Sequence, residues 1–197
     1  MLPVMEDFYT LQGEGYNTGQ AAYFIRVGGC DVGCKWCDVK ESWNATDFPP
    51  VLTDLVVTRA ASFPAKAIVV TGGEPLLYNM DYLCRELHSR KIRIFLETSG
   101  SQPASGLWDW ICLSPKKDAP PLKEITIKAN ELKVIVYDHT DFQWAEENSH
   151  LVSSSCILYL QSEWSKRETM MPEIINYIKA NPNWRISLQS HKYMHIP

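Results

Sequence analysis

The chain has 197 residues, of which 45% are hydrophobic and 21% charged, and we expect a single domain over residues 1–197. Its formal net charge of −4 and the lack of a long basic run argue against a nucleic-acid-binding surface of the usual electrostatic kind. No apolar run approaches the roughly 18 residues that span a bilayer, and the N-terminus lacks a secretory signal, so a cytoplasmic protein without membrane segments is expected.

Short β-rich runs recur along the chain and predict seven strands. They are continuously apolar rather than alternating, which is typical of strands buried on both faces of a mostly parallel sheet. In chain order they cover residues 21–27, 66–72, 91–98, 109–114, 131–137, 156–161 and 184–189.

Helical patterns lie between these runs. Leu76, Met80, Leu83 and Cys84 follow the i, i+4, i+7, i+8 spacing of one helix face, which predicts a helix over 76–90. The other predicted helices cover 52–61, 141–148 and 171–180, and Pro172 suits the first turn of the last one. The tail from residue 185 shows no helical pattern. The β–α alternation predicts an α/β fold, with too few strands for an eight-unit barrel.

Polar and glycine-rich motifs follow four of the predicted strands. Cys30 comes after the first, TGGEP (71–75) after the second, ETSG (97–100) after the third and SPK (114–116) after the fourth. Ligands of parallel α/β folds gather at the carboxyl ends of the strands. We therefore expect these motifs to converge on one face of the molecule.

Three cysteines stand within eight residues, Cys30, Cys34 and Cys37, in a C-x3-C-x2-C loop rich in glycine. Cytosolic thiols stay reduced, so clustered cysteines indicate metal binding or catalysis rather than disulfides. A zinc site needs a fourth ligand, and none stands at a short regular spacing. A 4Fe–4S cluster with three cysteine ligands would leave one iron open to a small molecule. A zinc loop or a chance group remains an alternative. The other cysteines, Cys84, Cys112 and Cys156, are expected to be buried hydrophobes.

This spacing resembles the signature of radical S-adenosylmethionine enzymes. The resemblance implies that S-adenosylmethionine chelates the open iron through its amino and carboxylate groups. It also implies that one electron passes to the sulfonium and yields a 5′-deoxyadenosyl radical, chemistry that belongs to the cofactors. TGGEP resembles the family segment that holds the amino group of S-adenosylmethionine, which implies contacts from Gly72, Gly73 and Glu74. Alone, TGGEP is equally compatible with a plain strand-to-helix turn.

Further segments resemble the 7-carboxy-7-deazaguanine synthase family of radical S-adenosylmethionine enzymes, in its order and over nearly the whole chain. These are LQGEG (11–15), CKWCD (34–38), LETSG (96–100), ANELKVIV (129–136) and LQSHKYMHIP (188–197). The resemblance implies a shortened, incomplete (β/α) barrel, a homodimer, and an electron donor such as flavodoxin or ferredoxin. It implies a lyase of queuosine-precursor biosynthesis that converts 6-carboxy-5,6,7,8-tetrahydropterin into 7-carboxy-7-deazaguanine by radical ring contraction, with loss of ammonia.

Site residues follow from this resemblance position by position. The residues matched to S-adenosylmethionine contacts are Gly73, Ser114, Pro115, Lys116, Gln161, Ser162, Glu163 and Trp164. Those matched to substrate contacts are Leu11, Gln12, Gly13, Arg26, Thr71 and Pro197. Glu97 and Ser99 suit hydrogen bonds to the cofactor's ribose or carboxylate, or belong to an ordinary polar loop. Arg26 suits bidentate binding of a carboxylate, or is a surface charge at a strand end. Pro197 is alternatively a free terminus.

One position departs from the family pattern. The family commonly carries threonine or serine two residues after the third cysteine, and that hydroxyl ligates Mg²⁺ near the substrate. Here the residue is Val39, which has no donor oxygen, whereas Mg²⁺ requires hard oxygen ligands. We expect weak or absent Mg²⁺ dependence. The neighbouring Lys40 either meets the anionic substrate in place of the metal or faces solvent.

Two other functions share some of these features. A glycyl-radical-enzyme activase would share the cysteines and the short length, but LQGEG and the HKY tail argue against it. An electron carrier or structural metal module is the non-enzymatic alternative, although a carrier would normally complete its cluster with a fourth cysteine.

Overall fold

A nine-stranded sheet runs through the protein in the computed structural model, which describes residues 1–197. The strands lie in the order β3-β1-β2-β4-β5-β6-β7-β8-β9. β1 pairs antiparallel with β2 and β3, and every pairing from β2 to β9 is parallel. Their bounds are β1 Leu2–Leu11, β2 Ala21–Val27, β3 Pro50–Val51, β4 Ala67–Gly72, β5 Arg93–Thr98, β6 Trp110–Leu113, β7 Glu131–Val136, β8 Ile157–Ser162 and β9 Trp184–Ile186.

Six α-helices accompany the sheet. They are α1 Thr53–Ser62, α2 Asp81–Ser89, α3 Lys123–Thr126, α4 Thr140–Ser149, α5 Arg167–Ala180 and α6 Ser190–Met194. Apolar residues of α1 to α5 pack on one face of the sheet in two core clusters of 16 and 15 buried residues. No helix combines the length and the apolarity that a membrane crossing requires.

The predicted fold class is confirmed. All seven predicted strands exist, as β2 and β4 to β9, and they form the parallel part of the sheet. The sheet ends at β3 and at β9, which do not pair with each other, so the barrel is incomplete. Cys84, Cys112 and Cys156 are buried as expected.

Four local predictions were wrong. The ten-residue β1 was missed because it is half-buried and mixed in polarity rather than continuously apolar. The predicted helix over 76–90 is divided into a 3₁₀ turn at Pro75–Leu77 and α2. Helix α5 begins at Arg167, which places Pro172 in its second turn. The tail contains α6, a short helix. The backbone N–H of its first residue, Ser190, donates to the carbonyl oxygen of Gly13.

The two-residue period of the strands separates the core from the functional face. On β5, Ile94 and Leu96 pack with the helices, whereas Phe95 and Glu97 lie on the opposite face, here called the inner face. On this face, a small apolar cluster that includes Phe24 and Val69 lies towards the amino ends of the strands. Towards the carboxyl ends of the strands, the inner-face positions become polar: Thr71, Glu97, Lys133 and Gln161.

Candidate active site

A cavity lies where the carboxyl ends of the parallel strands meet the cysteine loop. Its volume is about 970 Å³ when the solvent-filled space at its open mouth is included. The motifs that follow successive strands converge here, as the sequence predicted. The sequence-predicted residues that line the cavity are Cys30, Cys34, Cys37, Thr71, Gly72, Gly73, Glu97, Ser99, Ser114, Lys116, Gln161, Ser162, Glu163 and Trp164.

The three loop cysteines are free, half-buried and on the cavity wall. Burial raises the pKa of the Cys30 thiol, while the backbone amides of Val32 and Gly33 act in the opposite direction. Burial also raises the pKa of Cys34, and the Lys116 ammonium opposes that rise. The backbone N–H of Val39 donates to the sulfur of Cys37 at 3.4 Å. The amide donors and the cation oppose the effect of burial but do not outweigh it, so the pKa values of Cys30 and Cys34 stay above that of an ordinary thiol.

The positions of these thiols are compatible with an iron–sulfur cluster. One zinc ion would bring its sulfur ligands to about 2.3 Å from a common point. No three cysteine, histidine or acidic side chains are gathered into a single-ion site in the structure. A cluster takes one thiolate on each of several irons, so its ligands stand further apart. Cys30, Cys34 and Cys37 all line one cavity, where each would ligate a different iron of a bound cluster.

The TGGEP turn packs directly on the cysteine loop. Gly73 N–H donates to the Val27 carbonyl at 2.9 Å, and Glu74 N–H donates to the Gly29 carbonyl at 2.8 Å. A Cβ on Gly72 would overlap the Val27 backbone, and one on Gly73 would overlap the Gly29 carbonyl. Glycine is required at both positions by this close approach. The turn consequently presents its backbone to the cavity.

Glu74 itself has a different place from the one that the sequence predicted. Its side chain is fully buried and does not line the cavity. One carboxylate oxygen accepts from Leu76 N–H at 3.1 Å and the Thr98 hydroxyl at 2.6 Å, and the other accepts from the N–H (2.8 Å) and hydroxyl (2.5 Å) of Ser99. These four bonds fill the acceptor capacity of a carboxylate. Glu74 therefore braces the TGGEP turn against the ETSG loop, and no acceptor site remains for a ligand ammonium.

The SPK segment supplies a cation to the cavity. The Lys116 ammonium donates to the backbone carbonyl of Ser114 at 2.6 Å and to its hydroxyl at 2.7 Å, and lies 5.6 Å from the ring centre of Trp36. Burial lowers the pKa of Lys116 from its ordinary value, and the neighbouring Cys34 opposes this. Pro115 is buried and lies outside the cavity lining.

The predicted substrate contacts are only partly gathered at the cavity. Thr71 lines it, whereas the four residues Leu11, Gln12, Gly13 and Pro197 do not. Leu11 and Pro197 are exposed. Gln12 is buried, and its side-chain amide donates to the Glu97 carboxylate at 3.3 Å. Glu97 lines the cavity, so Gln12 is linked to the cavity only indirectly. The carbonyl of Gly13 accepts from the N–H of Ser190 at 2.9 Å, which docks the LQGEG loop on α6.

Arg26 stands beside Thr71 in the parallel pairing of β2 and β4, so both side chains lie on the inner face. Its guanidinium is ion-paired with Glu6 at 2.7 Å and does not line the cavity. The pair is partly exposed, so it is weak and open to exchange for another carboxylate.

The sequence analysis assigned no role to two charged residues on the cavity wall, Lys133 and Glu14. Lys133 is only 4% exposed and is ion-paired with Glu14 at 2.6 Å and with Glu97 at 3.0 Å. Gln189 donates to Glu14 at 3.0 Å. The available signal was Lys133 itself, a charge placed inside the apolar run of a buried strand.

Comparisons with known proteins agree with this geometry. The model of the Radical SAM superfamily matches residues 24–128, more than half of the chain. A 7-carboxy-7-deazaguanine synthase from Flavobacterium psychrophilum is 58% identical over 197 residues, covering 100% of this chain and 93% of the relative. One from Synechocystis sp. is 45% identical over 98% of this chain and 93% of its own length. The crystal structure of QueE from Escherichia coli matches with a TM-score of 0.83 and 29% identity, over 96% of this chain and 94% of that one.

The incomplete parallel barrel and the cysteine-lined cavity at its strand ends define the class: this is a radical S-adenosylmethionine enzyme. Within that class, the chain belongs to the 7-carboxy-7-deazaguanine synthase family, the lyases named in these comparisons. No relative found supports the activase alternative.

Proposed function

We propose that this cavity carries out the S-adenosylmethionine-dependent ring contraction of 6-carboxy-5,6,7,8-tetrahydropterin to 7-carboxy-7-deazaguanine, with release of ammonia. The observation that carries the proposal is the convergence of the cysteine loop, the TGGEP turn and a set of ionised side chains on one cavity. The names of the relatives give the product, 7-carboxy-7-deazaguanine, and the family resemblance implies the pterin substrate and the ring contraction. The cavity has the groups that such a reaction needs.

The cofactor half of the cavity has a consistent chemistry. Cys30, Cys34 and Cys37 would hold the 4Fe–4S cluster, which, with S-adenosylmethionine bound, supplies a 5′-deoxyadenosyl radical. The backbone of Gly72 and Gly73, which lines the cavity, suits hydrogen bonds from the amino group of the cofactor. The Lys116 ammonium suits an anionic group. We assign Ser99, Ser114 and the segment from Gln161 to Trp164 to the same cofactor, in agreement with their places on the wall.

The substrate half carries carboxylates. Glu14 and Glu97 line the cavity next to Thr71, and the contacts of Glu97 are with Gln12 and Lys133 rather than with the cofactor group. We therefore place Glu97 on the substrate side, which revises its assignment from the sequence. The amino and ring N–H groups of a pterin are donors that such carboxylates accept. Held by these groups, the pterin would be fixed in orientation and shielded from water.

The proposed function is tested by ligand-dependent spectra and ammonium release. S-adenosylmethionine should perturb the spectrum of the reduced, reconstituted protein, which separates an enzyme from an electron carrier. Adding the pterin should then release ammonium under anaerobic conditions. A spectrum indifferent to S-adenosylmethionine, or no ammonium with a cluster fully loaded, would contradict the proposal.

Arg26→Lys is expected to weaken pterin binding more than S-adenosylmethionine binding. The guanidinium of Arg26 can leave the exposed Glu6 and grip the substrate carboxylate through two parallel bonds, which a lysine cannot reproduce. The loss should be about 10-fold in pterin affinity, the equivalent of about one charge-assisted hydrogen bond. Titration of each ligand separately measures it. Equal losses for both ligands would show that Arg26 does not read the pterin carboxylate.

The cavity does not provide the family's Mg²⁺ ligand at position 39. Val39 has no side-chain oxygen, and its carbonyl already accepts from the N–H of Ser42 at 3.1 Å and from its hydroxyl at 2.7 Å. The nearby Asp38 pairs with Lys192 at 3.2 Å. Lys40 is exposed and lies outside the cavity lining, with its ammonium 6.0 Å from the centre of the Trp43 ring, which supports the solvent-facing alternative.

Turnover should therefore be nearly the same in chelator-treated buffer and in buffer with added Mg²⁺. Val39→Thr introduces the hydroxyl oxygen that the family uses and serves as the matched variant. A Mg²⁺ response that appears only in Val39→Thr would support the account. A strong Mg²⁺ requirement in the native protein would show that water, substrate or backbone oxygens hold the ion without a side chain at position 39.

We further propose that the protein forms a homodimer and receives its electron from a donor such as flavodoxin or ferredoxin, because the family resemblance implies both.

A further inference from the structure

A lysine is buried in the sheet at the wall of the cavity. Lys133 lies on β7 between Leu132 and Val134, whose side chains belong to the core on the helix side. Its own side chain lies on the inner face, 5% exposed, with the ammonium at the cavity. Burying an ammonium costs several kcal/mol unless it is paired and hydrogen-bonded. An apolar side chain at this position would avoid that cost, so we expect the charge of Lys133 to have a function.

The ammonium joins two carboxylates that come from distant parts of the chain. Its Nζ lies 2.6 Å from Oε2 of Glu14 in the LQGEG loop and 3.0 Å from Oε2 of Glu97 at the end of β5. The second oxygen of each carboxylate accepts from a glutamine amide, Gln189 for Glu14 and Gln12 for Glu97. Each carboxylate is therefore held at both oxygens, and its orientation is fixed.

The charges of this group do not balance. One ammonium between two carboxylates leaves a net negative charge at the cavity wall. A third carboxylate, Glu131, lies on the same strand and face but does not line the cavity, and its Oε1 is buried without a hydrogen-bond partner. Burial raises the pKa of Glu131. The wall is consequently built to receive hydrogen-bond donors rather than another anion.

The proposed substrate carries such donors on one edge. The amino group and the adjacent ring N–H of a 2-amino-4-oxopyrimidine lie in one plane, as the N–H groups of a guanidinium do. Carboxylates accept such paired donors in a bidentate manner. Each carboxylate of the pair has lone pairs left after its two bonds, so both remain acceptors for a ligand.

We propose that Lys133 is a positioning residue for the substrate: it fixes Glu14 and Glu97 side by side as the acceptor pair for the donor edge of the pterin. The inference rests on the proposed function, because that function supplies the pterin. It assigns to Lys133 no contact with the reacting atoms. Its effect should appear in pterin binding and not in the binding of S-adenosylmethionine.

The test compares Lys133→Met with a matched control, Lys117→Met. Lys117 is paired with Asp141 at 2.6 Å but lies outside the cavity lining, so the control removes a lysine–carboxylate pair elsewhere. With anaerobically prepared holoenzyme, Lys133→Met should lower pterin affinity by roughly 10- to 100-fold, as misplaced binding groups do. S-adenosylmethionine affinity, read from the cluster spectrum, should be unchanged. The control should bind both ligands as the native protein does.

A second variant covers the case in which Lys133→Met does not fold. Lys133→Arg keeps the charge, but its planar fork cannot hold both carboxylates in the same places. It should fold and bind S-adenosylmethionine normally while losing pterin affinity. Native pterin affinity in a folded Lys133 variant would overturn the inference. If the native protein and Lys117→Met themselves fail to bind the pterin, the proposed function fails instead.

The pH profile of pterin binding gives a readout that a merely structural role would not move. Burial acts to raise the pKa of Glu14, but the ion pair with Lys133 outweighs it and lowers the pKa to about 2. Glu14 thus stays ionised throughout the neutral and mildly acidic range. In Lys133→Met only the hydrogen bonds from Gln189 and Gln161 still oppose burial, so the pKa of Glu14 should rise. Glu14 should then take up a proton as the pH falls, and pterin affinity should drop towards acid pH. The native protein should lack this drop.

Other titratable groups face the same pair. They are Glu131, Cys112, Lys116 and His191. Burial and the Lys133 charge both act to lower the pKa of His191, so the two profiles are compared in a His191→Gln background, in which this group no longer titrates. Identical profiles for the native protein and folded Lys133→Met would show that Lys133 does not control Glu14.

Discussion

Serine at Cys30, Cys34 or Cys37 is expected to abolish both iron binding and turnover. Each of the three thiols stands on the cavity wall, and no fourth cysteine lies there to replace it. A serine hydroxyl is a poor substitute for the soft thiolate that an iron–sulfur cluster takes. Iron and sulfide content after anaerobic reconstitution, measured together with product formation, gives the result for each variant.

Cys112→Ser is the matched control for these substitutions. Cys112 lies on β6, is 2% exposed and is outside the cavity lining, and burial raises its thiol pKa far above the ordinary value. The variant should keep the iron content of the native protein. Loss of the cluster from Cys112→Ser, with a native circular dichroism spectrum, would contradict the assignment of three ligands.

Glu74→Gln is expected to lower the free energy of unfolding by about 3 kcal/mol, because it replaces a charged acceptor of four buried hydrogen bonds by an amide. In either orientation the amide NH2 group would face a backbone N–H, that of Leu76 or that of Ser99, which would lose its acceptor. Urea denaturation measures the loss.

Glu124→Gln controls for the general effect of removing a carboxylate. Glu124 is exposed and accepts one backbone N–H, from Ala104 at 2.9 Å. Its change should stay within about 0.5 kcal/mol, as is usual for surface substitutions. If Glu74→Gln is as stable as the native protein but binds S-adenosylmethionine poorly, Glu74 contacts the cofactor as its motif first suggested.

The fold was predictable because its parallel strands are buried on both faces. Continuous apolar runs such as residues 66–72 are set by that environment and need no knowledge of their partners. Strand β1 was not predictable in this way, because it pairs antiparallel at the rim of the sheet and its residues are half-buried. Helix α6 owes its place to contacts with the distant LQGEG loop, which no local pattern contains.

The candidate site was predictable where a short motif follows a strand. The cysteines and Gly73 converge because parallel strands end at the same edge. Tertiary contacts decide the rest. Glu74 belongs to a motif, yet its carboxylate is used by the neighbouring loop. Glu14 lies in a loop and Lys133 on the distant strand β7, and their ion pair forms only in the folded protein. No local pattern in the sequence therefore indicates this ion pair.

The most direct test of the account is mass detection of the product. Reduced, reconstituted protein is incubated anaerobically with S-adenosylmethionine and 6-carboxy-5,6,7,8-tetrahydropterin, with each component omitted in turn and no other protein except the reductant. The account predicts 7-carboxy-7-deazaguanine only in the complete mixture. Formation of 5′-deoxyadenosine without any deazaguanine, from a protein with a full cluster, would contradict it.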